Sequence, residues 1–394
     1  MLTSKSPRGL PIDHSLMDYI PDKTRIQRLP HYDIMSILRR LINRSPSTGE
    51  DLYNREANVL KAKDYLRYYS LIPDRVITWM INLVPAGVHY VRETGSDLIV
   101  SAGPHHSLHL HAWLISRITD IKWVPYFGDL WVYDSNTQYP PGPIKKIHSV
   151  LEKAVVNNCD GIITTTPLSS EYFRTKYGSS CPECIEVING FDPERVPERD
   201  CVDNYGNDTL IITYTGNLLG FNTPEYLPEG IAGFASRFPD ANVKIYFVGT
   251  FSPVLKNKLL SGAGRRIVEF VERVPSGDVR RYQCSADVLM TCLADRDGSE
   301  VKNTAKLGEY VTAGKPILLI SRKGDMTNFL DHTGGGYFSN PDEDSVTEIL
   351  AGIFTDWKSG NLKDPPDPEA AAELFDMSRS IEKLADFLNR IVVD

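Results

Sequence analysis

A chain of 394 residues exceeds what one ordinary core organises, and it predicts two domains of roughly 150–200 residues each. With 41% hydrophobic and 24% charged residues, the composition is that of a water-soluble globular protein. No apolar run reaches the roughly 18–20 residues of a membrane span and no leader-like segment opens the chain, so a cytoplasmic location is expected.

The net charge of −8 is unevenly spread. Residues 1–80 carry thirteen Lys/Arg against nine Asp/Glu, so a basic N-terminal part sits on an otherwise acidic protein. Such a part can meet an anionic partner, either the inner membrane face or a phosphorylated acceptor; a solvated surface is the plainer reading. The segment "DYLRYYSLIPDRVITWMINLVPAGVHYVRE" mixes Tyr, Trp and Arg with an apolar face. It fits a helix lying on a membrane where a lipid-linked acceptor is presented, or a helix packed on the first domain. Nothing suggests a nucleic-acid partner.

From Asp97 onward, short β-rich apolar runs alternate with longer helical periods. "DLIVSA" reads as a strand and "SLHLHAWLISRI" as a helix. "KWVPYF" is a strand, "IKKIHSVLEKAVVNN" a helix, "GIITTT" a strand, "PLSSEYFRTKYG" a helix and "CIEVI" a strand. This is the pattern of repeated βα units with a mostly parallel sheet. Residues 189–208, polar and holding two prolines, read as a linker. The alternation restarts with "TLIITYTG", a helix beginning near Thr223 or Pro224, and "VKIYFVGT". A helix at 253–262, "RIVEFVE", a helix at 276–283 and "ADVLMTCL" come next. "PILLIS", a short helix and "GGGYFS" lead to amphipathic helices over 343–357 and 369–393. Two doubly wound halves facing a central cleft would bind ligands beyond the carboxyl ends of their strands.

The six cysteines do not make a zinc framework. Cys159, Cys284 and Cys292 lie in or beside apolar segments, and the single "CPEC" lacks a second pair. "PHHSLHLH" gathers four histidines, yet His109 and His111 fall two apart on different helical faces, so no metal is expected. His105 and His106 lie at a strand-to-helix turn, where they can touch substrate at the crevice rim.

Two strand-to-helix junctions carry the chemistry. After "TLIITYTG", Gly216-Asn217 precedes a helix, and a glycine there lets backbone N–H groups approach a phosphate. After "ADVLMTCL" comes "GSEVKNTAKLGEYVTAGKPIL" (298–318). Thr304 or Asn303 can cap its helix, while Lys306 and Glu309 lie on the first turns. A carboxylate there can accept from the vicinal hydroxyls of a ribose, and the lysine can meet a phosphate or a sugar. A capped helix with an i,i+3 ion pair is the structural alternative.

"TAKLGEYVTAGKPIL" resembles the K-x-x-E-Y-x-x-x-G-K-P-I-L segment of family-4 glycosyltransferases, which have the α/β GT-B fold of two Rossmann-like domains. "DLIVSAGPHHSLHLHAWLI", "KWVPYFGDLW", "EVINGFDPE", "YTGNL" and "GGGYFSNPDEDSV" resemble further elements of that family, in its order, over residues 75–393. The resemblance implies an acceptor-side domain of residues 1–188 completed by a returning helix over 369–394, and a nucleotide-sugar domain of residues 209–368. It implies a nucleotide-diphospho-sugar donor, a glycan or lipid-linked acceptor in cell-surface polysaccharide synthesis, retention of anomeric configuration, and no required metal or cofactor. Glu309 matches the ribose-binding carboxylate, Gly216 the glycine loop at the diphosphate, Lys306 the family lysine and Asp129 the acidic residue facing the reacting centre.

Departures accompany it. Asn217 and Phe221-Asn222 stand where the family often has Arg and Lys on the diphosphate. Glu300 corresponds to the sugar-facing carboxylate, but eight residues separate it from Glu309 where seven are usual. The opening "MLTSKSPRGL" resembles the family's second strand, so the first βα unit is expected to be missing. Two rivals on the same fold are a non-catalytic subunit supporting a partner transferase and a nucleotide-sugar 2-epimerase.

Overall fold

The computed structural model describes residues 1–4, 20–30, 71–103, 105–135, 142–195, 208–272 and 274–393. Most of the basic stretch expected to meet a membrane falls outside them.

The first half begins with β1 (Leu2–Ser4) paired in parallel with β2 (Gln27–Leu29). A 3-10 turn at Arg75–Trp79 feeds α1 (Met80–Thr94). Gly87 of α1 lies against α2 (Ser107–Thr119) so closely that a β-carbon would meet the Ile115 side chain. The apolar face of α1 is therefore committed to the first half, although Ile81 stays 77% exposed. Asp74 ties the turn to α2: its carboxylate accepts from the Val76 amide at 2.8 Å, and from the Ser107 amide at 2.9 Å and hydroxyl at 2.7 Å.

Next come β3 (Leu98–Ala102), β4 (Lys122–Phe127), α3 (Pro143–Val156), β5 (Ile162–Thr164), α4 (Pro167–Tyr177) and β6 (Cys184–Glu186). The four strands pair in parallel in the order β3-β4-β5-β6. Trp123, Phe127, Trp131 and Phe173 fill the core on one face of this sheet.

The second half runs β7 (Leu210–Thr215), α5 (Leu227–Arg237), β8 (Val243–Val248), α6 (Pro253–Leu259) and β9 (Val268–Val271). It continues with α7 (Ser276–Ser285), β10 (Val288–Cys292), α8 (Ala305–Ala313), β11 (Ile317–Ile320), α9 (Asp325–Thr333), β12 (Tyr337–Ser339) and α10 (Glu343–Lys358). Every residue of β7 is buried, as a central strand covered by helices on both faces requires. The order β12-β11-β10-β7-β8-β9 is all parallel and reverses between β7 and β10. That reversal is the topological switch point at which doubly wound sheets open a crevice.

Two sequence readings are corrected. α5 starts at Leu227 and not near Thr223, because a 3-10 turn at Gly220–Asn222 intervenes and Pro228, lacking an N–H, sits in the first turn. Residues 369–393 form two helices, α11 (Pro368–Phe375) and α12 (Met377–Val393). Asp376 between them is extended, with ψ at 110°. Here the chain pairs with the segment that follows β6: Phe191 donates to the Phe375 carbonyl at 2.8 Å, and Met377 donates to that of Phe191 at 3.1 Å. The Asp376 carboxylate then caps the Ser378 amide at 2.8 Å. Beyond the break, Phe387 and Ile391 of α12 pack on Val124 and Ile163 of the first sheet.

Tyr310 fixes α8 to the switch point. Its fully buried hydroxyl accepts from the Thr215 amide at 2.9 Å and donates to the Met290 carbonyl at 3.2 Å. Tyr310→Phe strands that amide and is expected to cost about 2 kcal/mol in urea unfolding; an unchanged midpoint would contradict this account.

Candidate functional site

Residues from both sides of the β7/β10 reversal converge. Gly216 follows β7 at φ 122°, a backbone conformation that side chains rarely adopt. A β-carbon there would also lie 3.0 Å from the Lys306 Nζ. The backbone conformation therefore favours glycine, and Lys306 lies directly against this turn. Asn217 is exposed, and its Oδ1 accepts from the Thr250 amide at 3.1 Å, which joins the loops after β7 and β8.

Lys306 bonds the Tyr214 hydroxyl, its ammonium 4.1 Å from the Tyr214 ring centroid. Burial pushes its pKa down to about 8, with Cys292 and Glu309 pushing back, so it is largely cationic at neutral pH. Glu309, three residues on, is exposed, and its Oε2 accepts from Gln283 Nε2 at 3.1 Å. Gln283 also reaches the Thr215 hydroxyl at 3.2 Å, which links α7 to β7 beneath the carboxylate.

Thr304 occupies the position before α8, but it does not cap the helix through its side chain. The first turn closes through its backbone instead, with the Leu307 amide on the Thr304 carbonyl at 3.0 Å. Thr304 Oγ1, Asn303 Oδ1 and Ser299 Oγ are buried with no hydrogen-bond partner among the described residues. Three unpaired polar atoms at one junction are unusual in a folded core and suit a site that receives a polar ligand.

The facing wall is the loop after β4. Tyr133 donates to Glu300 Oε1 at 2.5 Å, and the Gly298 amide donates to Glu300 Oε2 at 3.1 Å. Lys302 Nζ sits 3.4 Å from Asp129 Oδ1 and 3.0 Å from Asp134 Oδ1. The Val301 carbonyl lies 2.9 Å from the Thr166 hydroxyl and 3.3 Å from that of Ser169, at the start of α4. Asp129, Tyr133 and Asp134 thus line one cleft between the halves together with Gly298, Lys302 and Asn303, and Glu300 joins it through its bond to Tyr133.

The histidines divide. His105 stays partly exposed, its Nδ1 3.9 Å from Asp74 Oδ1. His106 is buried under the loop after β4, stacked on Trp131 with ring centroids 4.8 Å apart, so it is a packing group and not a rim group. Burial pushes its pKa down to about 4, against the opposing pull of Asp74 and Asp134. His109 and His111 are both fully buried, and His109 Nδ1 lies 2.8 Å from Ser101 Oγ. Among the described residues no group of three or more His, Cys, Asp or Glu could hold a metal ion. Cys181 and Cys184 are free thiols 3.6 Å apart, and burial raises both pKa values, that of Cys184 to about 12.

Sequence reasoning missed Tyr133, Asp134 and Glu152. Only a single loop tyrosine and two ordinary carboxylates signal them; the partners of Tyr133 and Asp134 lie far away in the chain, and those of Glu152 come from the preceding loop and the next helix.

No family model matches the chain, and no curated protein matches it in sequence. Solved structures do match in shape. A sucrose-phosphate synthase from Thermosynechococcus elongatus superposes with a TM-score of 0.67 at 16% identity, covering 100% of this chain and 88% of that one. HepE from Anabaena, in complex with UDP, superposes with a TM-score of 0.65 at 13% identity, covering 99% and 98%. A pneumococcal O-GlcNAc transferase, GtfA, in complex with UDP and GlcNAc, gives 0.54 at 12% identity over 78% and 60%. The fold is GT-B, two parallel-sheet halves around a cleft.

Proposed function

We propose that the protein is a retaining glycosyltransferase that moves a sugar from a nucleotide-diphospho-sugar to a glycan or lipid-linked acceptor in cell-surface polysaccharide synthesis. One observation carries this reading: Gly216, the Lys306 ammonium, the unpaired Asn303 Oδ1 and Thr304 Oγ1 and the Glu309 carboxylate gather at the switch point. That set suits a donor laid with its diphosphate at Gly216 and the start of α8, and its ribose on Glu309. The UDP complexes of HepE and GtfA support a nucleotide in a fold of this shape.

In this reading the leaving group is a diphosphate, so catalysis consists mainly of charge stabilisation. The Lys306 ammonium and the amides at the α8 terminus supply it. Glu300 and Asp129 face the sugar, where they orient hydroxyls beside the carbocation-like centre. The acceptor enters from the first half, and closing the halves keeps water from the donor.

A non-catalytic subunit is the second reading, favoured by Asn217, which is bonded into the fold where the resemblance expects an arginine. The 2-epimerase reading would be revealed by its product.

The test is a thermal-shift titration with UDP, GDP, ADP, CMP, dTDP and their sugar conjugates. A ligand at about 100 times its Kd adds roughly 2.7 kcal/mol, and Glu309→Ala should weaken the nucleotide that binds by about tenfold or more. No shift with any nucleotide would sink the reading. Donor turnover by the isolated chain separates the enzyme from the supporting subunit.

A further inference from the structure

The Tyr133–Glu300 contact has an unusual foundation. The Tyr133 ring stacks on Tyr172 with centroids 5.7 Å apart and planes 13° off parallel. The Tyr172 hydroxyl donates to Glu152 Oε1 at 3.1 Å. Glu152 lies on α3 and is wholly buried. It also receives the Tyr177 hydroxyl at 2.6 Å and Lys176 Nζ at 2.5 Å on the same oxygen, and the Val132 amide at 2.9 Å on the other. Val132 immediately precedes Tyr133, so one carboxylate holds Tyr133 both through its backbone and through the ring it stacks on. On the opposite wall Gly298 stands at φ 85°, and a β-carbon there would meet the Tyr133 carbonyl at 2.6 Å. Both walls are thus shaped for this one approach.

We infer that Tyr133 is a positioning residue that holds Glu300 in place across the cleft for the sugar of the donor, mounted on the buried Glu152. The inference rests on the donor site proposed above. With Tyr133 on one oxygen and the Gly298 amide on the other, Glu300 has a fixed orientation, and each oxygen keeps a lone pair for a sugar hydroxyl. The bond to Glu300, with burial, raises the Tyr133 pKa to about 12, so its phenol stays a proton donor and does not serve as a base. Because the two residues belong to opposite halves, recognition of the sugar is tied to closure of the cleft, whereas the nucleotide is held by the second half alone.

The experiment is isothermal titration of the full chain with UDP, GDP, ADP and dTDP, each bare and as its glucose, galactose and N-acetylglucosamine conjugates. The quantity read is the ratio of conjugate Kd to bare-nucleotide Kd. For the pair that binds, Tyr133→Phe should leave the bare-nucleotide Kd within about twofold and raise the ratio about tenfold. Glu152→Gln should move the ratio in the same direction by about threefold. A purely structural role would weaken bare nucleotide and conjugate alike and leave the ratio unchanged, and that result overturns the inference while the nucleotide site stands. Failure of the wild-type chain to bind any nucleotide would instead remove the donor site, and this inference with it.

Discussion

Lowering the pH from about 7 to about 5 is expected to remove roughly 4 kcal/mol of stability through two buried histidines. His106 is stacked on Trp131, and His148 accepts from the Trp131 indole N–H at 2.9 Å. Burial pushes both pKa values down to about 4 from an ordinary 6.5. The folded protein therefore holds both rings neutral where the unfolded chain already binds protons. The unfolded state takes up protons as the pH falls through 6.5, and the folded state does so only near 4. Stability is full above 6.5 and is lost progressively down to about 4. At about pH 5 each ring accounts for roughly 2 kcal/mol, a large share of the 5–15 kcal/mol typical of a domain. Asp74 and Asp134 face His106 and oppose the shift, and His105 and His148 reinforce it. Urea unfolding at the two pH values measures the loss. His106→Phe, which keeps the ring stack without a titrating group, should flatten the profile by about half. A profile already flat in the wild type would mean that the rings are solvated.

The contrast between these groups and the readable ones has a physical origin. Alternation of apolar runs is a local property, so β3, β4, β7, β8 and β10 could be placed from their own residues. Lys306 and Glu309 stand out because a strand, a turn and a helix start follow one another within twenty-one residues. Burial of a polar side chain is not local. Glu152 lies in "SVLEKAVV", beside Lys153, where an exposed salt-bridged helix face is the natural expectation. It is buried only because Tyr172, Lys176 and Tyr177 arrive from α4. Glu300 is similar: its spacing from Glu309 departs from the usual one, and its partner Tyr133 lies 167 positions away. The helix break at Asp376 has no local signal either, since the extended residue is set by pairing with Phe191 and not by a Gly or Pro in the segment.

Glu152→Ala is expected to destabilise the first half by about 3 kcal/mol. The carboxylate is fully buried and takes a lysine, two tyrosine hydroxyls and a backbone amide. Its removal leaves the Val132 amide, and whichever hydroxyls stay dry, without acceptors. The usual cost of breaking a buried ion pair is about 3–5 kcal/mol. The low end applies here because Lys176 is 30% exposed and can turn to solvent. If desolvated donors are the cause, an apolar replacement of the ion pair should recover part of the loss. Glu152→Leu with Lys176→Met is therefore expected to be more stable than Glu152→Ala by about 1 kcal/mol, while the Val132 amide stays unpaired in both. A double variant no more stable than Glu152→Ala would show that the anchor works through Val132 and the tyrosines alone, with the lysine contributing nothing.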